Sequence, residues 1–210
     1  MSGLPESPYK GLAAFEDSEL DALLFFGRER EVAAVAANVL ASRLTVLYGP
    51  SGVGKSSLLN AGVARALRES PEGHRVAQLD SWVEDRADEL RAVRKAAAAG
   101  YVYVILDQFE EYLLYHGLEG PLSDALPELL RRPGLRVNVL LALRDDTLAE
   151  LDEFTGRIPE LFGNLLRLDR LDRDAGRAAI LGPLARYSEL SGEQFTAEDA
   201  LVIEVLVPIK

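Results

Sequence analysis

The stretch Leu44–Leu58, LTVLYGPSGVGKSSL, contains Gly-x-x-x-x-Gly-Lys-Ser from Gly49 to Ser56. A short apolar run of β type (Leu44, Val46, Leu47, Tyr48) precedes it, and a helix-compatible segment (Leu58, Leu59, Ala61, Val63, Ala66, Leu67) follows. That strand, loop, helix setting separates a phosphate-binding loop from a chance run of glycines. Gly49, Gly52 and Gly54 are expected to admit turns closed to residues with a side chain. The loop Gly49, Pro50, Ser51, Gly52, Val53, Gly54, with Ser56 and Ser57 behind it, can then converge its amides on a phosphate at a helix N-terminus. Lys55 is expected to reach the β- and γ-phosphates, and the Ser56 hydroxyl to ligate the magnesium that bridges them.

The chain has 210 residues, enough for one well-buried α/β domain and part of another. Its 48% hydrophobic and 27% charged content is that of an ordinary globular protein. No apolar run approaches the roughly 20 residues of a membrane span, and MSGLPESPYK has no secretory signal, so a cytoplasmic location without membrane contact is expected. Cysteine is absent, which excludes disulfides and thiolate metal sites. His74 and His116 lack ligand spacing and read as surface residues. A net charge of -11 argues against nucleic acid as a partner but leaves room for a local basic pocket.

Outward from the loop, residues 1–24 read as a Pro-punctuated leader packing on something else, ending in a short helix through Leu24 with a Ser18/Asp21 capping box. Phe25–Glu31 opens a helix with Val32, Val35, Ala36, Val39 and Leu40 on one face and Gly27 as its hinge. Ser70–Gly73 reads as a turn, Arg75–Leu79 as a strand, Glu84–Ala99 as a helix ended by Gly100, and Tyr101–Leu106 as a central strand. Pro121–Arg132 is predicted helical with a break or a new start at Pro127. Leu135–Leu143 and Leu165–Leu168 are predicted strands, and Asp172–Tyr187 a helix interrupted or ended near Gly182–Pro183. Alternating strands and helices imply a parallel sheet covered on both faces, a three-layer αβα core over 25–170, with the beginning of a helical domain at 171–210.

An apolar strand ending in an acid is the second half of such a site. Ligands bind at the carboxyl ends of parallel strands, so Asp107 is expected to share a crevice with Lys55 and to serve magnesium, with helix capping as the plainer alternative. Glu110 and Glu111 are the candidates for orienting an attacking water, with a lean to Glu110. Arg144, at the next strand end, is placed to sense the γ-phosphate or stabilise transition-state charge, with an ion pair to Asp145 or Asp146 as the alternative. Leu190–Gln194 (LSGEQ) looks like the signature loop of ABC transporter ATPases. It stands far behind Asp107, however, and reads as a loop before a helix capped by Thr196 and Asp199.

With these pieces in place, the chain resembles the STAND class of P-loop NTPases, most closely the novel STAND NTPase family of bacterial multidomain proteins. The resemblance is carried by SPYKGL at Ser7–Leu12, FFGRERE at Phe25–Glu31, Gly49–Ser57, VILDQFEE at Val104–Glu111, LALRD at Leu141–Asp145 and the Asp172–Pro183 segment. It implies an ASCE/AAA+-like fold, with Phe26, Gly27, Arg28 and Pro183 flanking an adenine. It further implies a switch in which ADP holds a closed form and exchange to ATP, with a signal on a C-terminal sensor, permits self-association, in proteins that commonly carry effector domains and repeat sensors. Catalytic roles for Lys55, Glu110, Glu111 and Arg144 would then serve slow, magnesium-dependent ATP hydrolysis. The alternatives are a P-loop kinase of small molecules, for which Glu119–Arg132 makes a poor lid, and a non-catalytic nucleotide-holding module. GTP is disfavoured because no Asn-Lys-x-Asp element is present.

Overall fold

The computed structural model describes residues 4–70 and 73–206. Five strands, β1 (Leu44–Gly49), β2 (Arg75–Leu79), β3 (Val102–Leu106), β4 (Val137–Arg144) and β5 (Leu165–Arg167), form one sheet in the order β2-β3-β4-β1-β5. Every pairing is parallel. The strand that carries the phosphate loop therefore sits beside β4, and β3 lies one strand further out.

Alternation along the strands divides the core into the two faces expected of a three-layer α/β protein. Val102, Val104 and Leu106 of β3, with Val137, Val139, Leu141 and Leu143 of β4, pack on one face. That face is covered by α5 (Ala87–Ala96), α6 (Phe109–His116), α7 (Pro121–Arg131) and a 3-10 segment, Asp145–Phe154. Tyr103, Ile105, Leu140 and Ala142 face the other way, against α2 (Glu29–Ala41) and the phosphate-loop helix. That helix runs as α3 (Lys55–Ser57), a π-helical stretch (Leu58–Val63) and α4 (Ala64–Arg68). Gly62, within the π stretch, lets α2 come close: a Cβ there would lie 2.4 Å from Val32 Cγ2. Each fully buried Leu or Val contributes about 1.5–3 kcal/mol of transfer free energy, so these two layers dominate stability.

Two prolines behave differently from the sequence expectation. Pro127 neither breaks nor restarts α7. A proline removes the N–H that would serve the carbonyl four residues earlier, here Ser123, but Arg157 Nη2 donates to that carbonyl at 2.7 Å and replaces the lost bond. Pro183 likewise lies inside an unbroken helix, α8 (Arg173–Ser191), which ends at Gly192 in a left-handed turn. Tyr9 Oη donates to the Ile180 carbonyl at 2.7 Å, and Gly182 accepts the Phe26 ring at a distance a Cβ would violate (2.5 Å), so outside contacts hold the helix just before Pro183.

Smaller corrections follow the same logic of local signal against tertiary contact. Leu40 is exposed rather than on the buried face of α2. α5 is shorter than Glu84–Ala99 and ends before Gly100. Ser18 does cap α1 (Glu19–Leu24) by accepting the Asp21 amide, but the Asp21 carboxylate turns to the Glu16 amide and the Lys10 ammonium instead of completing the box. The last helix, α9 (Asp199–Val205), has Glu198 at its N-cap with no side-chain cap bond, so Thr196 does not cap it. His74 is buried against Tyr103 (ring centroids 4.7 Å) and His116 is half-buried on Tyr112, so neither is the surface residue expected. Pro71 and Glu72 of the expected turn lie outside the described residues; the flanking Gly73 amide donates to Ser70 O at 2.9 Å. Among the described residues no helix is long and apolar enough to cross a membrane.

Candidate nucleotide site

Gly52 (φ +71) and Gly54 (φ +96) occupy left-handed backbone positions, and a Cβ on either would meet nothing within 4 Å. Conformation, not space, is what requires glycine there. Gly49 differs from the expectation: it sits in β1 without positive φ, and a Cβ would fall 2.4 Å from the Leu168 carbonyl. Its small size serves the close approach of the chain after β5. Gly54 is the N-cap of α3, so the amides of the helix start open onto the loop, as an anion requires.

Lys55 is buried, and its ammonium donates to Gly49 O (2.8 Å) and Pro50 O (3.1 Å). An ammonium has three protons, so one remains for a ligand. Burial pushes its pKa down, while the carboxylates of Glu110, Asp107 and Asp145 push it back up. Those charges act on Lys55 because β1, β3 and β4 present their carboxyl ends to one crevice.

Asp107 follows β3 and is 1% exposed. Burial is the largest influence on it and raises its pKa. Hydrogen bonds from the Ser56 hydroxyl and the Gln108 amide (2.9 Å), and then Lys55, oppose that rise. Its backbone is pinned twice: its amide donates to Leu79 O at 2.8 Å, and Trp82 Nε1 donates to its carbonyl at 2.7 Å. Gln108 takes φ 52, ψ 41, a left-handed conformation costly for a residue with a side chain. This strained corner turns the chain directly into α6 and carries Glu110 back over the phosphate loop.

Glu110 lines the cleft with Lys55, Ser56, Gln108 and Arg144, and its Oε2 is buried without a hydrogen-bond partner among the described residues. Burial raises its pKa, with hydrogen bonding from its own backbone amide, then the Lys55 charge and the Arg144 amide, opposing. Glu111, one residue on, is half-buried and does not line this cleft. Arg144 is paired with Gly49 across the β1–β4 ladder, and its exposed side chain forms an ion pair with Asp146 (Nε to Oδ1 3.0 Å). Thus the ion pair weighed as the alternative is present, at the mouth of the same cleft.

Beyond the loop, a second cleft of about 510 Å³ is lined by Phe15, Phe25, Phe26, Arg28, Val53 and Ala179, among others. Arg28 is 5% exposed, bonded to Val53 O (3.0 Å) and Glu31 (2.7 Å), so it ties the start of α2 to the phosphate loop. Gly27 (φ +83) lies against α8, where a Cβ would meet Ala175 O at 2.3 Å. Pro183 is buried one turn beyond Ala179 and is not among the residues lining the cleft. Trp82, Phe15 and Asn60 were not singled out from the sequence. The lone tryptophan was the one available signal, whereas the other two owe their place to contacts over 40 residues apart.

Residues of this kind suit an oxygen-rich divalent cation. Ser56 and Asp107 could supply two hard donors to such an ion, which would need phosphate and water for the rest of its shell. No group of three or more His, Asp or Glu side chains able to hold a metal exists among the described residues.

Solved structures with the same architecture include a closed-state reconstruction of Hsp104 with ATPyS and FITC casein (TM-score 0.62, 21% identity, covering 84% of this chain and 32% of that one). A Walker-type ATPase of Pyrococcus abyssi matches with TM-score 0.57 and 18% identity over 93% of this chain and 65% of its own. The ORC2 protein of Aeropyrum pernix matches with TM-score 0.54 and 17% identity over 85% and 67%. At such identities they establish the AAA+/ASCE fold. A curated relative, the small ribosomal subunit biogenesis GTPase RsgA of Ralstonia nicotianae (strain ATCC BAA-1114 / GMI1000), is 36% identical over 104 residues, 47% of this chain. The chain spans about a third of the length of that protein and of Hsp104 (31% and 32%). The family described as Novel STAND NTPase 1 matches residues 8–205, nearly the whole chain. The chain therefore belongs to the novel STAND NTPase 1 family and is a P-loop NTPase module.

Proposed function

We propose that this module is an adenine-nucleotide switch that hydrolyses ATP slowly. The observation that carries the reading is the convergence of Lys55, Asp107 and Glu110 beside a glycine-built loop at the carboxyl ends of β1 and β3. In this reading the amides from Gly52 to Ser57 hold the phosphates and Lys55 turns its remaining proton to the β- and γ-phosphates. Ser56 and Asp107 hold magnesium, which when bound screens the negative charge of the phosphates. Glu110 accepts a proton from the attacking water, a task its partnerless, buried oxygen and raised pKa suit. Arg144 is tied to Asp146, so its turn toward the γ-phosphate requires that pair to open, which accords with slow turnover.

The base lies in the apolar cleft among Phe26, Arg28 and Ala179; Gly27 does not line that cleft and serves it by bringing the chain close to α8. Pro183 acts at one remove: without its N–H, the Ala179 carbonyl loses its helical donor and becomes an acceptor for the adenine amino group. Self-association in the ATP form, and coupling to sensor and effector domains, are part of the same proposal; the family likeness supports them.

Calorimetry with ATP, ADP and GTP on the wild type and Lys55→Ala tests this. Binding of ADP and ATP by the wild type, lost in Lys55→Ala, is expected. GTP binding as tight as ATP binding would remove the base assignment, and phosphate release that survives Glu110→Gln combined with Glu111→Gln would remove the water-orienting one. Light scattering with ADP and with a non-hydrolysable ATP analogue tests self-association.

A further inference from the structure

The leader ahead of α1 has no role in the nucleotide reading above. Its residues Gly11–Phe15 lie over the phosphate loop and line the same cleft as Lys55, Ser56 and Glu110. Phe15, together with Ser51, Gly52, Gly54 and Ser57, also lines the apolar cleft on the base side. It therefore stands where the two clefts join, and in a nucleotide the group between base and phosphates is the sugar.

Both polar atoms of the Phe15 backbone are gripped by side chains of the phosphate-loop helix. Its N–H donates to Ser57 Oγ (3.1 Å) and its carbonyl accepts from Asn60 Nδ2 (3.1 Å). Asn60 lies in the π-helical stretch, a local geometry that often marks functional sites, and its own Oδ1 accepts from Gln78 Nε2 of β2 (2.6 Å). Two turns further on, Arg68 pairs with Asp17 (2.6 Å), so the leader follows the helix.

The Ser57 hydroxyl has one proton to give. A helical serine commonly returns it to the carbonyl four residues earlier, here Val53 O, but the side-chain bond to that carbonyl comes from Arg28 Nη2. No hydrogen bond donated by Ser57 Oγ exists among the described residues, while one of its lone pairs is taken by Phe15.

We infer that Phe15 and Ser57 form a third wall of the nucleotide site, in which the Phe15 amide orients the Ser57 hydroxyl to donate to the phosphate nearest the sugar and the Phe15 ring flanks the sugar itself. Docking of the leader and binding of a nucleoside diphosphate then strengthen each other by the same factor. The leader also carries the effect onward, since Tyr9 Oη donates to Ile180 O (2.7 Å) and Tyr187 Oη to Pro5 O (2.6 Å), both joining it to α8. Phe15 is a positioning residue, and the inference rests on the nucleotide reading proposed above.

Hydrogen exchange read by mass spectrometry on the full chain, with and without ADP and magnesium, tests it. Amides of residues 13–17 are expected to exchange several-fold more slowly once calorimetry shows the site saturated. Asn60→Ala is expected to weaken ADP binding about fivefold, the worth of one hydrogen bond. Asp17→Ala, which loosens the leader from an exposed position, is expected to weaken it about twofold. In Ser57→Ala, saturating ADP no longer slows the leader. Leader exchange indifferent to ADP in a wild type that binds it, or wild-type ADP affinity in both Asn60→Ala and Asp17→Ala, overturns the inference. A wild type that binds no nucleotide at all overturns the parent reading and this one with it.

Discussion

On the phosphate side of the cleft, Lys55, Ser56, Asp107 and Glu110 come from two short segments, each the end of a strand and the helix it leads into. On the base side, Phe15, Phe26, Arg28 and Ala179 come from the leader, the α1–α2 junction and α8, far apart in sequence and held by single hydrogen bonds and close glycine contacts. The first hangs on the central strands β1, β3 and β4, which are buried along almost their whole length. The second is assembled from separate segments, the kind of region in which local opening is expected first. In the reading proposed above this difference suits a switch: the phosphates would anchor the ligand, and the parts around base and sugar would report on it.

Lys55→Ala tests the anchoring half most severely. Nucleotide affinity is expected to fall about a hundredfold or more, because a charge-assisted contact to phosphate is lost from a buried site. Retention of tight binding, measured by calorimetry, would move the anchor to the base side. Glu110→Gln separates chemistry from anchoring on the same side. Phosphate release is expected to drop about a hundredfold with ADP binding within twofold, whereas Glu111→Gln stays near wild type.

Gly27→Ala probes the assembled half. A Cβ at φ +83 would lie 2.3 Å from the backbone carbonyl of Ala175, so about 2 kcal/mol of stability, or roughly 6 °C in Tm, is expected to be lost in denaturant and thermal melts. An unchanged Tm would show that α8 yields freely and that the base side is looser still.

Asp107→Asn is the gentlest change and has the opposite sign. Burial raises the Asp107 pKa, so the folded chain holds this proton to a higher pH than the unfolded chain does. The carboxyl therefore lowers stability as pH rises from the ordinary carboxylate value through its folded value, and the penalty is complete above that. The asparagine variant is expected to melt about 2 °C higher at neutral pH, with the gain vanishing in acid where both side chains are neutral, while it loses magnesium-dependent binding. A lower Tm at neutral pH would mean that Lys55 and the Ser56 hydrogen bond outweigh desolvation.

The contrast between the two sides also divides what could be read without a structure. The alternation of strands and helices, the phosphate loop and the acid at the end of β3 were legible because each is local: a period of two, a glycine spacing, an apolar run with one carboxylate. Pro127 and Pro183 misled because the same local rules say that proline ends helices. In the fold, Arg157 supplies the bond missing at Ser123, and Tyr9 and Phe26 hold the chain just before Pro183. His74 was misjudged for a similar reason, since nothing near it in sequence announces its burial against Tyr103.

From the residues alone came the class of fold, the loop that cradles an anion and the family likeness, all set by short-range stereochemistry and patterning. Only the tertiary structure decided that β4 stands between β1 and β3 while their carboxyl ends still share one crevice. It alone closed Gly49 onto Leu168 and laid Phe15 across the phosphate-loop helix. Those outcomes depend on strand order and on contacts between residues more than 40 positions apart, and such contacts leave no periodic trace in the chain that makes them.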